Sequence, residues 1–363
     1  MMNKFFLTLA ATLLTLSVSA QIKWHDAAEL TVIGKPVPTT KPFTRIDTLV
    51  YKINDKAIDR YAGYSTGLAV VFETDSRTIK ARWTTGGGNS GDNMPAILTK
   101  GLDLYIMKDD EWMFAGVGRP KMGGKGPYNK HESTLITDMA EGTKQCLLYL
   151  PLFDRCDTLE IGVEEGAMLK AMDNPFRHNI IVHGSSITHG ASASRPGMTY
   201  AARFGRSNGL YTCNLGFSGK CMLQKEYACY LADIKNVDAF VFDTFSNPQA
   251  DVIYARFNEF VDIVRAAHPD VPMIFLQTER RDTRNFNLKR EELEDAKQNA
   301  AKEVVKARMK TDKNIYFIDS EGFLGDEHLA TADGTHPTDL GFTYMLSVIS
   351  PKIKRILKKY GIK

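Results

Sequence analysis

Hydrophobic and polar positions follow two different rhythms along this chain. From residue 21 to about residue 172 the apolar residues fall in short alternating runs. "TGLAVVFETD" and "TIKARWTT" are two such runs, separated by the turn residues Asp75-Ser76. "LDLYIMKDDEWMFAGVG" reads as two strands around an Asp109-Asp110 turn, and "QCLLYLPLF" and "DTLEIGVEEG" continue the pattern. Alternation with a period of two sends neighbouring side chains to opposite faces, the signature of half-buried strands. Many short strands and no amphipathic helical stretch predict a β-sandwich, jelly-roll-like in organisation.

After "AMDNPFRHN" the rhythm changes. The runs "NIIVHG", "YTCNLGF", "DAFVFDTF", "VPMIFLQT" and "NIYFIDS" are continuously apolar rather than alternating. Between them lie segments with helical spacing, of which "DVIYARFNEFVDIVRAAH" and "LKREELEDAKQNAAKEVVKARMK" are the longest. Buried-type strands alternating with helices predict an α/β unit: a parallel five-stranded sheet covered on both faces, a three-layer flavodoxin-like arrangement. The expected division is 1–20, 21–172 and 173–363.

The first of these segments reads as a leader. In "MMNKFFLTLAATLLTLSVSAQ", Lys4 supplies a short positive region, Phe5 to Leu16 an apolar core and Val18-Ser19-Ala20 a small-residue cleavage site. That pattern predicts a signal peptide, a mature chain starting near Gln21 and an exported, periplasmic or secreted protein. The apolar core is too short to span a bilayer well, and no cysteine at the cleavage region suggests a lipid anchor. The formal net charge is only +3, which gives no reason to expect nucleic acid or an anionic membrane as partner. Five scattered cysteines, at 146, 156, 213, 221 and 229, have neither zinc-ribbon spacing nor a disulfide framework and read as buried thiols, with one bridge open in an oxidising compartment.

In a parallel sheet, ligands bind beyond the carboxyl ends of the strands. Four loops there carry chemistry. "GSSIT" follows the first strand, "NLGFSGKCM" the second and "DTFSNP" the third, while "ADGTHPTDLG" lies past the last. Taken singly, each has a bland reading: a helix N-cap, a tight glycine turn, a turn asparagine, a surface loop. Together on one rim they fit acyl transfer. A serine hydroxyl needs a base, and His336 can serve; Asp333, three residues earlier, can reach its other ring nitrogen. An oxyanion needs donors, which the Ser186 N–H, the Gly219 N–H and the Asn247 amide can supply. The start of the helix after Ser186 adds a favourable dipole. His183 and His189, six residues apart across a turn, do not form a metal-ligand pair, and His183 reads as packed. The stretches "TTGGGNSGDN" and "KMGGKGPYN" lack a phosphate-binding ending and read as flexible connections.

These blocks resemble those of the SGNH (GDSL-type) esterase and lipase superfamily, over about residues 178–350. The resemblance implies that Ser186 is the nucleophile, Asp333 and His336 its acid–base pair, and Ser186, Gly219 and Asn247 the oxyanion donors, with no metal and no cofactor. "GLDLY" at 101–105 and "SITHGASASRPGM" resemble a two-domain exported bacterial subgroup with a GxDLY β domain. Two positions depart from the wider pattern. Ser185 stands where many members have Asp, and Ser246-Asn247-Pro248 replaces Gly-x-Asn-Asp. The expectation is a serine esterase for short O-acyl, chiefly O-acetyl, groups on carbohydrates. Its rivals are a longer-chain lipase or thioesterase, with Phe217, Phe245 and Met222 lining an acyl trench, and a non-catalytic glycan-binding protein. The β half is expected to pack beside the rim and supply part of the substrate cleft.

Overall fold

The structure is a computed structural model that describes residues 21–52, 55–86, 91–122 and 129–363. The expected leader, 1–20, and the centres of the two Gly-rich loops lie outside the described residues. Among the described residues, no helix is long and apolar enough to cross a membrane.

The β half consists of two antiparallel sheets. One has the spatial order Ile22–Asp26, Cys156–Glu164, Ile79–Thr85, Lys130–Ile136. The other runs Leu169–Ala171, Ala69–Thr74, Lys144–Tyr149, Leu102–Lys108, Glu111–Gly118, with Thr31–Ile33 paired to Ala69–Thr74. Val70, Phe72, Leu104 and Leu148 of the second sheet share one core with Ala81, Trp83, Ile161 and Val163 of the first. Face-to-face packing of this kind is what the alternating pattern requires, since each sheet has one apolar face to bury. At the Asp109-Asp110 turn both residues take positive φ, 51° and 61°, the backbone of a two-residue hairpin whose twist matches its strands.

The half also contains what the pattern does not reveal. Two helices, Lys56–Ala62 and Ala96–Lys100, have 7 and 5 residues, too few for a helical period to register. The first depends on local chemistry: the Asp55 carboxylate accepts from the Ala57 and Ile58 amides. The strand Lys130–Ile136 lies at a sheet edge and is largely polar, so its alternation is weak.

The second half has a five-stranded parallel sheet in the order Leu210–Gly216, Arg177–Gly184, Ala239–Asp243, Met273–Leu276, Ile315–Ile318. All five apolar runs are strands. On one face Phe240, Phe242 and Phe275 pack with Phe257 and Phe260 of the helix Ala250–Ala267. On the other, Ile180, Val182, Val241 and Leu276 pack with Phe342, Met345 and Ile349 of the helix Asp339–Lys358. Three layers result, with the chain order reversing between the first and third strands of the unit, where such folds place their ligands.

The two halves share their cores. Ile46, Ile58 and Ala62 lie in the same cluster as Phe217 and Tyr227, while Leu98 and Leu152 join the cluster of Ile180 and Val182. A polar clamp accompanies this burial. Asp103, the acid of "GLDLY", is fully buried; its carboxylate accepts from Arg195 Nε at 3.1 Å and from the Gly197 amide at 2.8 Å. Burial pushes this carboxyl up to about 6, against the opposing pull of Arg195, the Gly197 amide and Arg206. The Tyr105 hydroxyl accepts from Arg195 Nη2, and the Arg206 guanidinium lies 3.9 Å from the Tyr105 ring centre. Removing one partner of a buried ion pair leaves the other uncompensated, so Asp103→Ala is expected to cost about 3 kcal/mol. Because the cores are shared, both halves are expected to melt together. Urea unfolding followed by near- and far-UV circular dichroism checks this; two separated transitions, or a loss below about 1 kcal/mol, would contradict it.

Candidate active site

The site is built on a single turn of helix, Ser186–His189, which begins two residues beyond the strand end at Gly184. Two glycines let that turn close onto the sheet. A Cβ at Gly216 would lie 2.1 Å from the His189 nitrogen, and one at Gly184 would lie 2.2 Å from Thr188 Oγ1. Ser185 caps the turn: its Oγ accepts from the Ile187 amide at 3.2 Å and donates to Asp243 Oδ2 at 2.9 Å. The cap reading of a serine at a strand-to-helix turn is thus realised by Ser185. Ser185 is the cap, and Ser186, 7% exposed, presents its hydroxyl on the rim. The expected help from a helix dipole is small, because the helix has only four residues and ends at Gly190 in a left-handed conformation.

The structure brings Ser186, His336 and Asp333 together. Ser186 Oγ lies 3.0 Å from His336 Nε2, and His336 Nδ1 lies 2.7 Å from Asp333 Oδ2. The other carboxylate oxygen of Asp333 accepts from the amides of Thr335 and His336 at 3.0 and 2.8 Å. The loop that carries both residues is closed on itself by Ala332 N–H to His336 C=O and Thr338 N–H to Ala330 C=O bonds, with Gly334 at φ 77°. Burial alone would raise the Asp333 carboxyl; the donors from the His336 ring, the His336 amide and the Thr335 amide outweigh it and hold it at about 2. An ionised Asp333 fixes the proton of the neutral ring on Nδ1 and leaves the Nε2 lone pair facing the serine hydroxyl.

Gly219 sits in the exposed turn beyond the strand Leu210–Gly216, with φ 67°. Asn247 is half-buried beyond the strand Ala239–Asp243. Its Oδ1 accepts from the Cys221 amide at 3.2 Å, which ties the two loops together and sets the orientation of the side-chain amide. The His183 Nδ1–H donates to the Leu215 carbonyl at 2.9 Å, and burial pushes this ring down to about 4. His189, which burial holds well below the usual histidine range, contacts the Leu152 carbonyl through Nε2 at 2.8 Å and accepts the Ser218 amide on Nδ1 at 3.3 Å. Both histidines are structural. No group of three or more His, Cys, Asp or Glu among the described residues is placed to hold a metal ion. All five cysteines are free; four are buried as expected, and Cys229 is exposed.

The structure weakens one rival reading and adds one residue. Phe217 and Phe245 are buried in the core behind the sheet rather than lining a trench beside Ser186. And the site contains a residue from the β half that sequence reasoning missed. Asn93 Nδ2 donates to Asp333 Oδ2 at 2.9 Å and lies 3.2 Å from His336 Nδ1. It belongs to the stretch "TTGGGNSGDN", whose composition signals a connection and nothing more.

With this geometry in place, the comparisons with known proteins define the class. Residues 177–354 match the GDSL-like lipase/acylhydrolase family, and residues 22–169 match the GxDLY model, the N-terminus of SGNH-hydrolase-type esterases. A Bacteroides ovatus ATCC 8483 structure described as a GDSL-like lipase is 44% identical, with TM-score 0.89 over 93% of this chain and 98% of that one. The chain belongs to this GDSL-like lipase/acylhydrolase family. A salicylyl-acyltransferase from a tetracycline biosynthetic pathway shares the fold at 20% identity and TM-score 0.68, over 94% of this chain and 98% of that one. So does a family two carbohydrate esterase from Cellvibrio japonicus, at 12% identity and TM-score 0.60, over 93% and 99%. No curated protein matches the chain.

The Ser185–Asp243 contact has a testable consequence. Asp243 is buried and already pushed up to about 6, first by burial and then by the nearby Glu279 carboxylate, against donors from Ser185, Thr188 and Ser246. Ser185→Asp, which installs the residue many relatives are expected to carry, would place two carboxylates against each other in the core. The expected loss is about 3 kcal/mol, with at least half recovered in the Ser185→Asp/Asp243→Asn double variant. Denaturant unfolding of the three variants checks this, and a Ser185→Asp protein as stable as the parent would refute it.

Proposed function

We propose that the protein is an exported serine esterase that removes short O-acyl groups, chiefly acetyl, from carbohydrates. The observation that carries the reading is the in-line contact of Ser186 Oγ with His336 Nε2 at 3.0 Å, with Asp333 at 2.7 Å on the far nitrogen. In this mechanism His336 Nε2 takes the Ser186 proton as Oγ attacks the ester carbonyl. The imidazolium is stabilised by Asp333, while the Ser186 N–H, the Gly219 N–H and the Asn247 amide donate to the oxyanion. The tetrahedral intermediate collapses as the imidazolium gives its proton to the leaving alcohol oxygen. Water, deprotonated by His336, then attacks the acyl-enzyme, and release of the carboxylic acid restores the serine.

The short acyl preference is supported by the burial of Phe217 and Phe245, two of the side chains the sequence offered for a trench. The carbohydrate reading is supported by the carbohydrate esterase that shares both halves of the fold. Export is inferred from the leader pattern in residues 1–20.

Ser186→Ala is expected to lower kcat on 4-nitrophenyl acetate by a factor on the order of 10³ or more, while Ser185→Ala keeps a substantial part of it. Full activity in Ser186→Ala with comparable loss in Ser185→Ala would transfer the nucleophile to the neighbouring residue. A second expectation concerns acyl length: kcat/KM is higher for acetyl than for octanoyl esters, measured beside a panel of acetylated sugars. A clear octanoyl preference would make the protein a lipase instead.

A further inference from the structure

We propose that Asn93, supplied by the β half, is a positioning residue for the acid–base pair; this rests on the roles proposed for Ser186, Asp333 and His336. The argument is an accounting of the Asp333 carboxylate. Its Oδ1 accepts two backbone amides, from Thr335 and His336. Its Oδ2 accepts the His336 Nδ1–H at 2.7 Å and the Asn93 Nδ2–H at 2.9 Å. Four donors fill the four lone-pair directions of the group. Three come from Asp333's own loop, and the side chain is 35% exposed. Asn93 supplies the fourth donor from another domain.

The asparagine is itself held from the catalytic half. Ser192 Oγ donates to the Asn93 carbonyl at 3.0 Å, and Ser192 is buried with φ 68°, a left-handed conformation that costs a non-glycine residue free energy. A strained serine whose hydroxyl meets the backbone of Asn93, and an Asn93 side chain that meets Asp333, form a closed path between the halves. That path enters the site at the group that orients the base. The Asn93 side chain meets Asp333 and the His336 ring and makes no hydrogen bond to Ser186, so its effect is expected on kcat.

The test uses the full chain and 4-nitrophenyl acetate. Asn93→Ala is expected to lower kcat about tenfold, in line with losses seen when an orienting hydrogen bond is removed, with KM within twofold of the parent. Asn93→Asp, almost isosteric, is expected to lose more at neutral pH, because it sets a second carboxylate beside Asp333. Among the described residues, Asp333, Asn93 and Ser186 are the polar groups hydrogen-bonded or close to the His336 ring nitrogens, so this added charge favours the imidazolium and moves the acid limb of kcat/KM to higher pH. Parent-like kcat in Asn93→Ala, or an effect confined to KM, would overturn the proposal, as would an Asn93→Asp profile that does not move. Thermal unfolding of both variants identifies a loss due to misfolding, and parent-like melting is part of the expected result. Retained activity in Ser186→Ala would overturn the esterase mechanism itself, a failure distinct from that of Asn93.

Discussion

Everything at the rim depends on holding one turn of helix that cannot hold itself. Four residues, Ser186–His189, form too few internal bonds to offset the cost of fixing their backbone. The turn persists because three neighbouring elements grip it. Asn214 Nδ2, on the strand Leu210–Gly216, donates to the Thr188 carbonyl at 2.6 Å. Thr188 Oγ1 meets Asp243 Oδ2 at 3.0 Å and the Tyr200 hydroxyl at 2.7 Å. The missing side chains of Gly184 and Gly216 make the approach sterically allowed. The position of Ser186 is therefore set by three strands and a helix, not by its own loop.

The same turn anchors the β half. The His189 ring stacks on Phe153 at 3.9 Å between centres and bridges the Leu152 carbonyl to the Ser218 amide, one residue before Gly219. A neutral imidazole can donate at one nitrogen and accept at the other, and burial keeps this ring neutral. Arg45 acts nearby. Fully buried, it donates to the Asn214 and Gly216 carbonyls on the strand that leads to Gly219, and to the Tyr61 carbonyl in its own half. The sandwich is thus a supporting wall of the rim, joined by shared apolar clusters and by polar groups that cannot be left unpaired.

Legibility followed the range of the interactions. The five parallel strands were evident because each is a continuous apolar run, and the site blocks were evident because residue type and chain order are themselves sequence properties. The edge strand Lys130–Ile136 was missed because an edge has little to bury, and Lys56–Ala62 because seven residues give no period. Asn93 was illegible for a different reason. Its partners Asp333 and Ser192 are 240 and 99 residues away, and nothing local distinguishes it from any other polar residue after a glycine run. The sequence left open whether Phe217 and Phe245 line a trench: their place in the chain puts them just beyond two strand ends at the rim, and only the tertiary packing turns them into the core.

The two departures from the family pattern are connected beneath the rim. Where a carboxylate is expected at position 185, the chain has a hydroxyl, and the carboxylate comes instead from Asp243 at the end of the adjacent strand. Asp243 also accepts from Ser246 Oγ at 3.3 Å, in the third block where the other departure lies. Ser246 is held twice over: its hydroxyl meets Thr278, and its carbonyl accepts from Arg281 at 2.9 Å and from Lys297 at 3.3 Å. These buried cations are paired with Glu279 and Glu294, so the cluster is compensated rather than a source of stray charge. The peptide that leads into Asn247 is thereby fixed from behind, while Cys221 fixes the amide from in front. In this chain a buried ionic network holds the backbone at Ser246 and so helps to orient Asn247.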